Sequence, residues 1–366
     1  MKREDYFSFL QETSESIKPT IKNYIEPFRD INKELYEILM FFVRSRLNTR
    51  LQKPTLFRLA YELCGGKDWE KVIPAAVAFE FINISSYQAN SAFDEKLGVL
   101  TKQQKDSQFL ASMISRELSF EIASAIEKSF GEQLATKLYS SLSISNYNVY
   151  LAQHYDLNVL TVENLEDYRN EDLFLKDYTQ RCFCGSGVIN GQCAYIGGLL
   201  AGGELRELQA LQEFGESFGT ALQIVNDVGD FVPNNADPLI SRGFQDQYSD
   251  LKNGRLTLPL YHLLRLGSHK VKTRTREIIE QGCPNEYSLF EITKLLLENG
   301  AIMYAKEKAK ILVKKAERHL SSFEEIQSKN LLLIMATIIL TNKYFVALRR
   351  VTDELTPLGV PGWDSI

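Results

Sequence analysis

Asn226, Asp227 and Asp230 place oxygen donors at helical spacings of one, three and four, within the run Phe218-Gly-Thr-Ala-Leu-Gln223-Ile-Val-Asn226-Asp227-Val-Gly-Asp230-Phe231. On a helix these oxygens project from one face. Hard oxygens gathered in this way suit Mg²⁺, which bridges to substrate phosphates and keeps several of its waters. The following stretch, Asp250-Leu-Lys252-Asn-Gly-Arg255-Leu-Thr257-Leu-Pro259, adds the cations Lys252 and Arg255. Charge-assisted hydrogen bonds from such groups are what a diphosphate requires. Together the two stretches predict a magnesium-diphosphate site.

A site of this kind needs helices to present it. The chain has 366 residues, 44% of them hydrophobic, enough to bury a large core, and one all-helical domain over 1–366 is expected. Strand-like alternation of useful length is missing, and helical periodicity dominates. Ile302, Ala305, Ala309, Leu312, Ala316 and Leu320 mark one face of an amphipathic outer helix, with Lys and Glu on the opposite face. Further helices are predicted near 31–47, 53–65, 70–92, 107–127, 131–152, 171–201, 204–231, 257–266, 286–299 and 329–350. Breaks fall at Gly65-Gly66, Gly202-Gly203, Pro233, the 234–250 loop and Gly282-Cys-Pro284. That many helices predict an all-α orthogonal bundle, and bundle sites are built from facing helices. A second oxygen cluster is therefore expected, and Asn90 and Asp94, four apart at the end of an apolar helix, are the candidates. Taken alone, this pair is a weak signal, because polar residues at a helix end are more often capping or solvent-facing groups.

Composition narrows the function classes. A net charge of −5 argues against a surface built for nucleic acid or anionic lipid. The Met1-Lys-Arg-Glu-Asp start does not read as a signal peptide, and five cysteines, an odd number, fit a reducing cytoplasm. Cys182, Cys184 and Cys193 lack zinc spacing and are expected to be buried helix thiols. Leu331–Leu340 is too short to span a bilayer and reads as a core helix, so no transmembrane segment is expected. His154, His262, His269 and His319 are scattered without ligand spacing. Gly197-Gly198 and Gly202-Gly203 lack the Lys-Ser/Thr of a phosphate loop, and point to close helix packing or a helix end.

The two motif stretches, with Asn299-Gly-Ala-Ile-Met-Tyr-Ala-Lys-Glu-Lys-Ala, resemble the trans-isoprenyl diphosphate synthases, also called polyprenyl synthetases, over about residues 45–345. The resemblance implies an isoprenoid-synthase-like helical fold around a central cavity, Mg²⁺ as cofactor, an allylic prenyl diphosphate as substrate, and a homodimer. It assigns the second metal motif to Asn226, Asp227 and Asp230 and the first to Asn90, Ser91 and Asp94, with Gln223, Asp250, Arg255 and Thr257 on the substrate side. The catalytic carboxylates it implies are Asp94, Asp227 and Asp230. Arg50 and Lys53 fall where the family binds isopentenyl diphosphate, and Ser85, Ser86 and Tyr87 fall where it sets product length. Small serines there, with Tyr87 the bulky exception, either leave room for a long prenyl tail or serve close packing between helices.

This chain departs from the pattern at several of these positions. Asn90, Ser91 and Asn226 stand where the family has aspartates, and an asparagine oxygen ligates Mg²⁺ without contributing charge. Leu51 replaces an arginine, Asn83 a histidine, and Gly185-Ser186 the family's Lys-Thr pair. Each missing charged hydrogen bond is worth about 1.5–3 kcal/mol, so several together weaken isopentenyl diphosphate binding by orders of magnitude. Three functions fit: a prenyltransferase with altered acceptor specificity, a catalytically impaired partner or regulatory subunit that forms a heterodimer with an active synthase, or a class I terpene synthase.

Overall fold

The structure, a computed structural model, describes residues 2–94, 102–233, 248–283 and 285–355. Seventeen α-helices occur among the described residues, with short π and 3-10 turns between some of them and no strand. Most of the predicted 234–250 loop lies outside the described residues. The chain divides into two compact units.

The first unit contains Met1–Leu151, Phe183–Gly219 and Lys314–Ala336. It opens with α1 (Arg3–Ile25), which buries Tyr6, Leu10, Ser14, Ile17, Ile21 and Ile25, a stripe recurring every three or four residues. The short α2 (Phe28–Ile31) leads to α3 (Lys33–Leu47), whose N-cap Asn32 side chain accepts a hydrogen bond from the Leu35 amide. Next come α4 (Gln52–Leu63), α5 (Trp69–Asp94), α6 (Lys102–Phe130) and α7 (Glu132–His154), the last ending in the second unit. Apolar residues surround α5 on all sides, and it is buried along most of its length. The π-helical turn Phe183–Gly187 leads into α9 (Val188–Leu200), which packs on α4. Gly197 makes that packing possible, because a Cβ there would lie 2.5 Å from the Phe57 carbonyl oxygen. The Gly197-Gly198 pair is thus a packing device, as its lack of a phosphate-loop lysine suggested.

The second unit contains Ala152–Cys182, Thr220–Val313 and Thr337–Ile366. It includes the π turn Tyr155–Val159, the 3-10 turn Glu163–Tyr168 and α8 (Glu171–Cys182). The end of α10 (Leu205–Gly229) follows, then α11 (Ser249–Lys252), α12 (Leu258–Tyr261), the π turn His262–Leu266, α13 (His269–Glu280) and α14 (Glu286–Glu298). Phe174 of α8 stacks on Tyr261 of α12 with ring centroids 3.7 Å apart and on Tyr178 at 5.5 Å. This aromatic column fixes the face of α8 that carries Tyr178 and Arg181.

Helix α15 (Ala301–His319) matches the predicted amphipathic helix with one shift. Val313 is buried, while Leu312, expected on the inner face, is half-buried. Three predicted elements are subdivided: 171–201 is α8, a π turn and α9, 257–266 is α12 and the π turn His262–Leu266, and 329–350 becomes α16 (Gln327–Ile338) and α17 (Lys343–Leu355) around the 3-10 turn Ile339–Thr341. Gln327–Val351 is long and apolar enough to cross a membrane by length and composition, which the shorter stretch read from sequence was not. The 3-10 turn interrupts it, Leu331, Leu332, Met335 and Ala336 are buried, and 44% of its most apolar window is buried inside the protein. Cys182, Cys184, Cys193 and Cys283 are buried and Cys64 is half-buried, all five as free thiols.

Candidate active site

Asp227, in the last turns of α10, is 1% exposed and surrounded by donors. Tyr178 Oη donates to it at 2.6 Å, Arg181 Nη1 contacts both carboxylate oxygens at 2.9 Å, and Gln223 Nε2, one turn earlier, donates at 3.0 Å. The other side of the Arg181 fork grips Asp156, with Nε donating to Oδ1 at 2.8 Å and Nη2 to Oδ2 at 3.1 Å. One buried guanidinium therefore bridges two carboxylates. Burial works against the charge on Arg181, but Asp156 and Asp227 more than offset it and raise its pKa well above the usual arginine value. Burial also lifts both aspartates above the ordinary carboxylate range, with the guanidinium pulling the other way. The Cys182 thiol beside them is pushed up to about 12, by burial first and by Asp227 second.

Asp230 does a different job. Its Oδ1 accepts from the Ser249 amide at 2.9 Å and its Oδ2 from the Asp250 amide at 3.2 Å. Tyr248, at the N-cap of α11, has the left-handed φ of 54°, and its amide donates to the Asp230 carbonyl at 2.9 Å. Strain at a non-glycine residue is stored here, next to the motif. After α11 the chain turns through Gly254, at φ +64°, and Arg255 forms an isolated antiparallel bridge with Thr161. That bridge aims buried Arg255 at the Asp156 backbone carbonyl, to which its Nη1 donates. Thr257 is buried with no partner for its hydroxyl, Asn226 is half-buried and Lys252 is exposed. Gln223, Asp227, Asp230, Asp250 and Arg255 thus belong to one network, which Tyr178, Arg181 and Asp156 complete.

Lys53, expected on the acceptor side, belongs to a separate cluster in the first unit. Lys53 Nζ donates to Asn83 Oδ1 at 2.7 Å, Asn83 Nδ2 to Glu80 Oε1 at 3.3 Å, and Arg46 Nε to the same Glu80 oxygen at 2.6 Å. Glu80 is 0% exposed, and its Oε2 has no partner. Arg46 lies over the Tyr87 ring, 5.5 Å from its centroid. Arg50 turns to α1, where its Nε meets Gln11 Oε1 at 3.4 Å and its guanidinium stacks over Phe7 at 5.0 Å. Ser85 is buried with its hydroxyl 3.5 Å from Tyr150 Oη, and Ser86 bonds back to the Asn83 carbonyl. Asn90 is half-buried on α5; Asp94 closes that helix, and its side chain lies outside the described residues.

A family model described as Polyprenyl synthetase matches residues 101–296, more than half of the chain. The chain belongs to the polyprenyl synthetase family. The chain is 33% identical over 156 residues to octaprenyl diphosphate synthase of Haemophilus influenzae, which covers 43% of the chain and 45% of that relative's length. It is 25% identical over 324 residues to geranylfarnesyl diphosphate synthase of Aeropyrum pernix, covering 85% and 96%. Among solved structures it is similar to geranylgeranyl pyrophosphate synthetase of Pyrococcus horikoshii, with a TM-score of 0.74, 21% identity and coverage of 94% and 100%. A polyprenyl synthase of Caulobacter crescentus, complexed with calcium and isoprenyl diphosphate, gives a TM-score of 0.71 at 15% identity, covering 92% and 98%. At those identities the structural likeness establishes the all-α isoprenyl synthase fold.

The family implies a divalent metal, and in the arrangement seen here the motif's carboxylate oxygens are already engaged by donors of the protein itself. Both oxygens of Asp227 face Arg181, and both oxygens of Asp230 accept backbone amides. Among the described residues no three His, Cys, Asp or Glu side chains gather as a metal-holding group. Sequence reasoning missed Tyr178, Arg181 and Asp156. Phe174, Tyr178 and Arg181, at helical spacing on one stripe of α8, carried the available signal, since an arginine on an apolar face requires a buried acid.

Proposed function

We propose that this chain is a divergent cytoplasmic prenyltransferase of isoprenoid biosynthesis, one functional domain over 1–366, that takes an allylic prenyl diphosphate and transfers its prenyl group to an acceptor other than isopentenyl diphosphate. The observation that carries this reading is the single network joining Gln223, Asp227, Asp230, Asp250 and Arg255 within the family-matched region. The altered acceptor rests on Arg50 and Lys53, which are engaged with Gln11, Phe7 and Asn83. Buried Ser85 and half-buried Ser86 and Tyr87 remain the proposed determinants of prenyl length, and Asn90, Asp94, Asn226, Asp227 and Asp230 the proposed Mg²⁺ ligands. Exposed Phe93, Phe109, Leu110 and Met113 on α5 and α6 offer an apolar surface that supports an oligomer, either a homodimer or a heterodimer with a synthase subunit.

Incubating the purified protein with Mg²⁺ and geranyl, farnesyl or geranylgeranyl diphosphate should release pyrophosphate, and Asp227→Asn should abolish the release. Adding isopentenyl diphosphate should leave it unconsumed. One observation favours a second reading, a catalytically impaired partner subunit: Tyr178, Arg181 and Gln223 already saturate the second motif's central carboxylate. Absence of pyrophosphate release with all three diphosphates, together with co-purification of an intact synthase, would establish that reading instead.

A further inference from the structure

We infer that the Arg181 guanidinium is a built-in cation that competes with a divalent metal for Asp227. The inference rests on the reading of Asp227 as a metal ligand. A carboxylate that binds Mg²⁺ must present an oxygen at roughly 2.0–2.1 Å from the ion. Both Asp227 oxygens lie 2.9 Å from Arg181 Nη1, and Tyr178 and Gln223 approach the same group at 2.6 and 3.0 Å. A metal cannot take Asp227 while the guanidinium stays, because donor hydrogens fill the directions it needs and two like charges would face each other across a buried carboxylate. The grip on Asp156 by Nε and Nη2 does not depend on Asp227. A metal therefore has to displace only the Nη1 contact, while Asp156 keeps the arginine anchored. Arg181 is the penultimate residue of α8 and is followed, after Cys182, by the π turn Phe183–Gly187. The family's second motif is thus retained in this chain together with an internal competitor for it.

The test is titration of the full chain with Mn²⁺ alone, reading free ion by electron paramagnetic resonance. Arg181→Lys keeps one charge but loses the fork, and Arg181→Gln combined with Asp156→Asn removes the clamp while balancing charge, so that folding survives in at least one background. Both are expected to gain a Mn²⁺ site at least tenfold tighter than that of the natural chain, and adding Asp227→Asn should erase the gain. Circular dichroism identifies any variant that has failed to fold. Folded variants with no gain, or with a gain that survives Asp227→Asn, overturn the competition. If Asp227→Asn also leaves Mn²⁺ binding of the natural sequence and of every variant unchanged, the reading of Asp227 as a ligand falls with it. If it weakens binding of the natural sequence while the Arg181 variants show no gain, only the competition falls.

Discussion

Arg181 and Arg46 each hold a buried carboxylate in a helical unit, yet the two clusters are finished differently. Arg181 bridges two acids, and every oxygen of Asp227 is met by Tyr178, Gln223 or the guanidinium itself. Arg46 meets one acid, Glu80, whose second oxygen is buried without a partner, and Lys53 closes the cluster through the neutral Asn83. A buried charge persists only when it is paired and hydrogen-bonded. The Asp227 cluster carries its own internal counter-charge. In the Glu80 cluster a neutral amide, Asn83, stands between Lys53 and the acid, leaving a looser arrangement. One cluster is therefore closed, and the other leaves an acid oxygen unmet.

The largest test of that contrast is to remove each arginine in turn. Arg181→Met removes the guanidinium from buried Asp227 and half-buried Asp156 and should cost about 5 kcal/mol, the upper end for breaking a buried pair. Arg46→Met strands only Glu80 and should cost about 3 kcal/mol. Urea unfolding of the two variants against the natural chain measures both. Equal costs would mean that the second-motif clamp is no more integrated than the acceptor cluster.

A smaller effect is expected from Tyr178→Phe, which keeps the ring stacked on Phe174 and deletes only the hydroxyl donated to Asp227. Removing one hydrogen bond to a buried charge should cost about 1.5–3 kcal/mol by the same urea measurement. The phenol's pKa stands well above its usual value, by burial first and Asp227 second, so the group is a donor across the working pH range. A loss under about 0.5 kcal/mol would show that Arg181 and Gln223 alone satisfy Asp227, and the contrast between a saturated and an unsaturated acid would narrow.

The parts of this architecture that could be read in the sequence share a physical property. Long apolar-periodic helices such as α5, α10 and α15 declared themselves because burial of one face, or of all faces, writes its period into residue type. The polar α1 did not, because its buried stripe includes Thr13 and Ser14 and its run contains Pro19, so the apolar pattern is diluted. α13 was missed for a similar reason, with Thr275 and Ile278 its only buried residues. At the site, Asn226, Asp227 and Asp230 were legible as a helical oxygen cluster, but not what their oxygens contact. Asp227 is answered from 46 and 49 residues away, by Arg181 and Tyr178. Asp230 turned out to cap α11, a use that local spacing cannot distinguish from metal ligation.

The smallest expected effect separates burial from geometry. Arg274 grips Glu291 with the same bidentate fork, Nε to Oε1 and Nη2 to Oε2 both at 2.7 Å, joining α13 and α14 in the unit that holds Arg181. Here the side chains are 38% and 23% exposed. The hydrogen bonds from Arg274 hold the Glu291 carboxyl below its usual value, whereas burial drives Asp227 upward despite a guanidinium equally close. Because the folded-state value of Glu291 is depressed, its stabilisation is fully present above the unfolded glutamate pKa of about 4.3 and is lost as pH falls through the folded value. Arg274→Gln should therefore cost no more than about 1 kcal/mol at pH 7. The difference from the natural chain should shrink toward zero on acidification, as followed by urea midpoints at stepped pH. A pH-independent loss as large as that of Arg181→Met would show that fork geometry, and not enclosure, sets the strength of the second-motif clamp.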